Sequence, residues 1–162
     1  MTRLIDALTD KDREYFDKVV NLAPIFNESL NQIREEKRFT TNCHSTVRAI
    51  GFFVPGLKVR DGFYLSLTLN LRGAGGSIKQ VCEIRHSWLV TPNDAVIDPY
   101  PPSFLAWSPA LMPSIEKSEE SLAGLYVVDH RAYPIAQRKT VLRLAKILQQ
   151  YMKACMDKKD AP

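Results

Sequence analysis

The sequence predicts a single-domain α+β protein. Three observations carry this expectation: apolar residues recur at helical spacing over about residues 11–37, alternate with polar ones between about Leu57 and Asp98, and return to helical spacing over about residues 134–158. The 162 residues suit one domain with its own core. The hydrophobic fraction of 45% and charged fraction of 25% exclude general disorder.

Asp10 is placed to cap a first helix over about residues 11–22, with Tyr15, Phe16, Val19, Val20 and Leu22 on its apolar face. Pro24 suits the first turn of a second helix that runs to about Lys37, with Ile25, Phe26, Leu30 and Ile33 turned inward. The run Arg34-Glu35-Glu36-Lys37-Arg38 reads as its solvated end. Thr40, Thr41 and Asn42 are capping candidates for a short helix from Cys43 to Ile50, stopped by Gly51.

After Pro55-Gly56 the period changes to two around Asp61-Gly62. Gly73-Ala74-Gly75-Gly76-Ser77 is a turn and lacks the Gly-Lys-Ser/Thr ending of a phosphate loop. A strand is expected at about 78–90, then the turn Thr91-Pro92-Asn93-Asp94, then a short strand ending at Asp98. A Pro-rich irregular stretch covers about 99–113, Leu125–Val128 form a last strand, and a long helix closes the chain. That helix carries Val141, Leu144, Leu148, Tyr151, Met152 and Cys155 on one stripe.

Formal net charge is +4. The Lys and Arg residues of the last helix are scattered, so no nucleic-acid face is expected. No apolar run approaches the ~20 residues of a membrane span, and Met1–Asp6 lacks the apolar region of a signal peptide. A cytoplasmic location is expected, with export by a signal-less route left open. Three cysteines without Cys-x-x-Cys spacing read as free thiols in a reducing compartment.

One of those cysteines stands apart. Cys43 falls at the start of a helix, where the dipole and free N–H groups favour a thiolate and can face an oxyanion. His86 lies inside a strand and Asp98 ends the next one. A hairpin that sets them side by side gives an Asp that orients an imidazole and an imidazole that activates a thiol. This demands a register. With Thr91–Asn93 as a three-residue loop, Val90 pairs with Asp94 and His86 with Asp98; a two- or four-residue loop turns Asp98 away. An odd loop or a bulge is therefore expected.

The segment Asn42-Cys43-His44-Ser45-Thr46-Val47-Arg48-Ala49-Ile50-Gly51 resembles the nucleophile helix of the transglutaminase-like and papain-like cysteine enzymes. A strand follows it, then His86-Ser87-Trp88-Leu89, then Val96-Ile97-Asp98-Pro99, in that family's order over about residues 40–100. The resemblance implies Cys43 as nucleophile, His86 as general base and acid, and Asp98 as orienter. It also implies a papain-like or transglutaminase-like core acting on a peptide, protein or other amide, with no cofactor. The upstream oxyanion position would be Lys37, an unsuitable donor, which leaves Asn42 or a backbone N–H.

Around this set, His44, Trp88, Tyr100 and Trp107 are further pocket candidates. His44 reads first as an exposed or packing residue and Trp88 as core packing that fixes the His86 strand; Tyr100 and Trp107, in the loop that begins beside the site, are the better pocket candidates, with packing of that loop as their other reading. Zinc is a rival reading of Cys43, His44, Cys82 and His86. Adjacent Cys43 and His44 diverge around a helix, and Cys82 and His86 lie about 13 Å apart along one strand at ~3.3 Å per residue. No metal site is expected, and Cys82 and Cys155 read as core residues. His130 reads as a loop residue. The reaction expected is hydrolysis of a peptide or related amide through a thioacyl-enzyme, with deamidation, acyl transfer and a non-enzymatic binding module as alternatives.

Overall fold

The computed structural model describes residues 7–36, 42–70, 77–101, 109–114, 116–117, 122–129 and 135–159, with side chains throughout except at 66–70, 77–82, 122, 124, 135–136 and 159. Lys37, the Gly73–Gly76 turn, Trp107, His130 and the side chain of Cys82 lie outside them.

Helix α1 spans Asp10–Asn21. Its cap is Thr9 and not Asp10. The Thr9 hydroxyl accepts from the Asp12 N–H while the Asp12 carboxylate accepts from the Thr9 N–H, a reciprocal box that a Thr-x-x-Asp pattern permits. Helix α2, Ala23–Glu35, follows after Leu22 and carries Pro24 in its first turn. Helix α3 spans Cys43–Phe53 under a second such box, in which Asn42 Oδ1 accepts from the Ser45 N–H at 2.9 Å and Ser45 Oγ accepts from the Asn42 N–H. Helix α4, Ile135–Lys159, buries Val141, Ala145, Leu148, Met152 and Cys155 and turns Arg143, Lys146 and Lys153 outward.

Gly51 does not stop α3, which continues to Phe53. Its place follows from close packing: a Cβ there would lie 3.0 Å from Leu89 Cδ2. The glycine lets the helix approach the sheet.

The sheet is antiparallel, in the order β4-β3-β2-β1-β5. Strand β1 is Lys58–Asn70, β2 is Ser77–Val90, β3 is Val96–Asp98, β4 is Ala110–Met112 and β5 is Tyr126–Val128. A 3-10 turn at Leu122–Leu125 leads into β5. Strand β4 was not expected within the Pro-rich stretch. It pairs Val96 with Met112 and Asp98 with Ala110, on the far side of β3 from β2.

The β2–β3 connection is odd, as the register demanded, but it is displaced from the expected one. The Thr91 N–H donates to the Ala95 carbonyl and the Asp94 N–H to the Thr91 carbonyl. Pro92, Asn93 and Asp94 are therefore the three loop residues, with Pro92 in the turn's second position and Asp94 at φ 60°. Val90 pairs with Val96 and Leu89 with Ile97. Continuing that ladder sets Asp98 opposite Trp88, two residues from His86. The parity, and so the face, is as expected; the directly opposed pair is not.

Successive strand residues face opposite sides. Leu89 and Ile97 join Val19, Phe26, Ile33, Val47, Ala49, Ile50, Leu148 and Met152 in the main core, so all four helices cover that side. Each such large side chain contributes about 1.5–3 kcal/mol on burial. Trp88, Val90, Val96, Met112 and Ala123 form a smaller cluster on the other side, with Tyr126 packed against it. Gly62 makes room between β1 and β5, where a Cβ would run into the Val127 carbonyl oxygen and lie 2.8 Å from Trp88 Cη2. Asp12 ties α1 to the β2–β3 turn by accepting from Thr91 Oγ1 at 2.6 Å and Asn93 Nδ2 at 3.3 Å.

Candidate active site

His86 and Asp98 share the Trp88 side of the sheet, and both are buried, 2% and 0% exposed. His86 Nε2 lies 2.7 Å from Asp98 Oδ2. A carboxylate only accepts, so Nε2 carries the proton and the neutral ring keeps its lone pair on Nδ1. Asp98 is held in turn by two further donors: the Tyr126 hydroxyl at 2.8 Å on Oδ2 and the Tyr100 N–H at 2.8 Å on Oδ1. The second is an Asx turn, local to Asp98-Pro99-Tyr100. Burial and the charge of Asp98 push the Tyr126 phenol well above its ordinary range, so it stays a donor. Trp88 stacks near His86, with ring centroids 6.4 Å apart, and fixes the imidazole from the side.

Cys43 comes from the other side of the sheet. Beyond Leu89, β2 has no described partner on its β3 edge, because β3 ends at Asp98. Cys43, in the first turn of α3, reaches that open edge, with Sγ 4.0 Å from the Arg85 carbonyl oxygen. It also lies close enough to His86 to act on the proton affinity of the imidazole. Since Asp98 occupies Nε2, the face left for the sulfur is Nδ1. Burial lowers the proton affinity of His86, but the hydrogen bonds and charges of Asp98 and Cys43 outweigh it and raise the imidazole to about 9. The three residues thus meet where a helix start, a strand interior and a strand end converge.

A cleft of about 140 Å³ opens on Cys43, lined by Phe26, Leu30 and Arg34 from α2, Asn42, Cys43 and Thr46 at the start of α3, and Tyr100. Asn42 spends its Oδ1 on the Ser45 N–H, which leaves its Nδ2 as a donor. The Ser45 and Thr46 N–H groups are taken by Asn42, whereas the first-turn Cys43 N–H has no partner within the helix. Asn42 Nδ2 and the Cys43 N–H are therefore donors available where both residues line the cleft.

A second polar network was not anticipated. Asp61, on the helix side of β1 opposite Ser87, pairs with Arg48 of α3 at 2.7 Å. Ser87 Oγ donates to Asp61 Oδ1, and His44 Nδ1 donates to Ser87 Oγ. Arg48 also donates to the His44 carbonyl oxygen at 3.1 Å. Burial opposes the charge of Asp61, yet its bonds from His44, Arg48 and Ser87 hold the carboxyl well below the usual carboxylate range. The network fastens the first turn of α3 to the sheet, and Ser87 is the immediate neighbour of His86.

Of the predicted set, Cys43, His86 and Asp98 come together, and Asn42 and Tyr100 line the cleft. His44 and Trp88 do not line it: the first belongs to the network that fastens α3 and the second to the smaller cluster of the core. Trp107 lies outside the described residues. Cys155 is buried beside Ser29 Oγ, 3.5 Å away. Among the described residues no group of three His, Cys, Asp or Glu side chains is placed to hold a metal ion, and no helix is long and apolar enough to cross a membrane. No protein-family model matches the chain, and neither the curated proteins nor the solved structures include a match to it.

Proposed function

We propose that this protein is a cysteine-dependent acyl-transfer enzyme with a papain-like or transglutaminase-like core that hydrolyses a peptide or related amide bond. One observation carries the reading: a part-exposed cysteine that lines a cleft is backed by a buried His–Asp pair from the other side of the sheet. A structural cysteine needs neither an oriented imidazole nor an opening.

In this reading the Cys43 proton passes to His86 Nδ1 before substrate reacts, and the resulting thiolate attacks the substrate carbonyl carbon. The carbonyl π-pair moves to oxygen, where Asn42 Nδ2 and the Cys43 N–H stabilise it. Collapse breaks the C–N bond, and His86 returns its proton to the departing amine. Water then adds to the thioacyl carbon, with its proton taken by His86. The acid leaves as that proton returns to sulfur. Asp98 keeps the imidazole in the accepting tautomer and stabilises the imidazolium.

Alkylation by iodoacetamide tests this, with the label located by peptide mass. Labelling of Cys43 should persist below pH 7, and that low-pH limb should vanish in His86→Ala. Labelling that follows an ordinary thiol near ~8.5 in both proteins, or none in the native protein, would overturn the enzyme reading.

A further inference from the structure

Arg34 gives the cleft a chemical preference. Phe26, Leu30 and Arg34 follow at intervals of four on α2, one stripe about 12 Å long at ~1.5 Å per residue. Phe26 is 1% exposed, Leu30 is half-buried and Arg34 is exposed. The α2 wall of the cleft therefore runs from a buried apolar end to an exposed cationic one. Among the described residues no carboxylate lines the cleft. Among the described residues the Arg34 guanidinium has neither an ion-pair nor a hydrogen-bond partner. The volume of about 140 Å³ is close to that of cavities that take one benzene-sized group, the size of a single side chain.

From this juxtaposition we infer that the cleft selects a substrate carrying a carboxylate within about one side chain of the reacting carbonyl, with Arg34 as the specificity residue. This deepens the reading of Cys43 as a nucleophile and rests on it. A guanidinium presents a planar fork of donors that matches a carboxylate two bonds at a time, which an amide oxygen cannot do. Phe26 and Leu30 receive the aliphatic part of the same group. Two sources supply that chemistry: an Asp or Glu side chain, or a free chain terminus.

The test compares three reagents with one electrophile: iodoacetyl-Gln amide, which is neutral; iodoacetyl-Glu amide, with a side-chain carboxylate; and iodoacetyl-Gln with a free terminal carboxylate. Second-order rate constants for Cys43 are read by mass spectrometry. One of the acidic reagents should react about ten- to a hundredfold faster than the neutral one, the range of a charge-assisted hydrogen bond, and which one identifies the source. The ratio should fall towards one in Arg34→Gln and return in part in Arg34→Lys. A neutral reagent that reacts as fast, or a preference that survives Arg34→Gln, overturns the inference while leaving the nucleophile intact. Cys43 that reacts with none of the three overturns both.

Discussion

Replacing Asp98 by Asn changes one atom in a buried triangle of donors, and its consequences follow from that geometry. Oδ1 receives the Tyr100 N–H, and Oδ2 receives both His86 Nε2–H and the Tyr126 hydroxyl. An Asn that keeps its oxygen on the Tyr100 side presents an NH2 to His86. The imidazole can then pair only by accepting at Nε2, which moves its proton to Nδ1, the nitrogen that faces Cys43. The ring can no longer take the thiol proton. Stability should respond as well. His86 is raised from 6.5 to about 9, so its contribution is complete below pH 6.5 and is lost as pH rises through 9. That interval corresponds to about 3 kcal/mol, or a fall of ~1–2 M in the urea midpoint for a chain of this size. Urea unfolding at pH 6, 7.5 and 9.5 should show this loss in the wild type and less than half of it in Asp98→Asn. Other groups that titrate in the window are common to both proteins. Iodoacetamide labelling of Cys43 at pH 6 should fall at least ~100-fold in the variant, within the usual span of general-base catalysis. Parallel stability curves for the two proteins would refute the argument that the carboxylate holds the imidazolium.

Further outcomes follow from other contacts. Tyr126→Phe removes one of the three donors on Asp98 and should cost about 0.5–1.5 kcal/mol in urea unfolding while keeping most of the Cys43 reactivity. Gly62→Ala puts a methyl group into the Val127 carbonyl and should cost about 1–3 kcal/mol, with faster hydrogen exchange confined first to β5. Asp12→Ala strands Thr91 Oγ1 and removes half of the α1 box, for about 2–4 kcal/mol by urea unfolding. Hydrogen bonds from Thr91, Thr9 and Asn93 overcome the burial of Asp12 and lower it below 3.8, so its contribution is present above that pH and is lost on acidification. The wild-type acid limb should therefore be steeper than that of the variant.

The juxtaposition of Cys43, His86 and Asp98 was legible in the sequence because each sat at a position with a physical meaning: a helix start, a strand interior, a strand end. The turn was harder. Thr91-Pro92-Asn93-Asp94 admits more than one loop, and only the backbone shows Asp94 in the left-handed region and the ladder two residues on. Asp10 and Thr9 are both good caps, and the choice falls to whichever side chain can be answered from three residues on. Gly51 carries no mark distinguishing a helix stop from close packing. Strand β4 is three residues long, too short for a period. The Arg48–Asp61–Ser87–His44 network joins residues up to 43 apart in sequence, so no local pattern announces it.

That network gives the two walls of the cleft different freedom to change. The α3 wall carries Cys43, the proposed nucleophile, and is bolted to the sheet through an ion pair and a shared hydroxyl, so a substitution that loosens it displaces the sulfur from its imidazole. The α2 wall touches none of these bolts through Leu30 or Arg34. A lineage can rewrite those two positions and alter what the cleft admits while Cys43, His86 and Asp98 stay in register. Engineering of a new preference should begin there, and drift among descendants of this chain would accumulate on the same side.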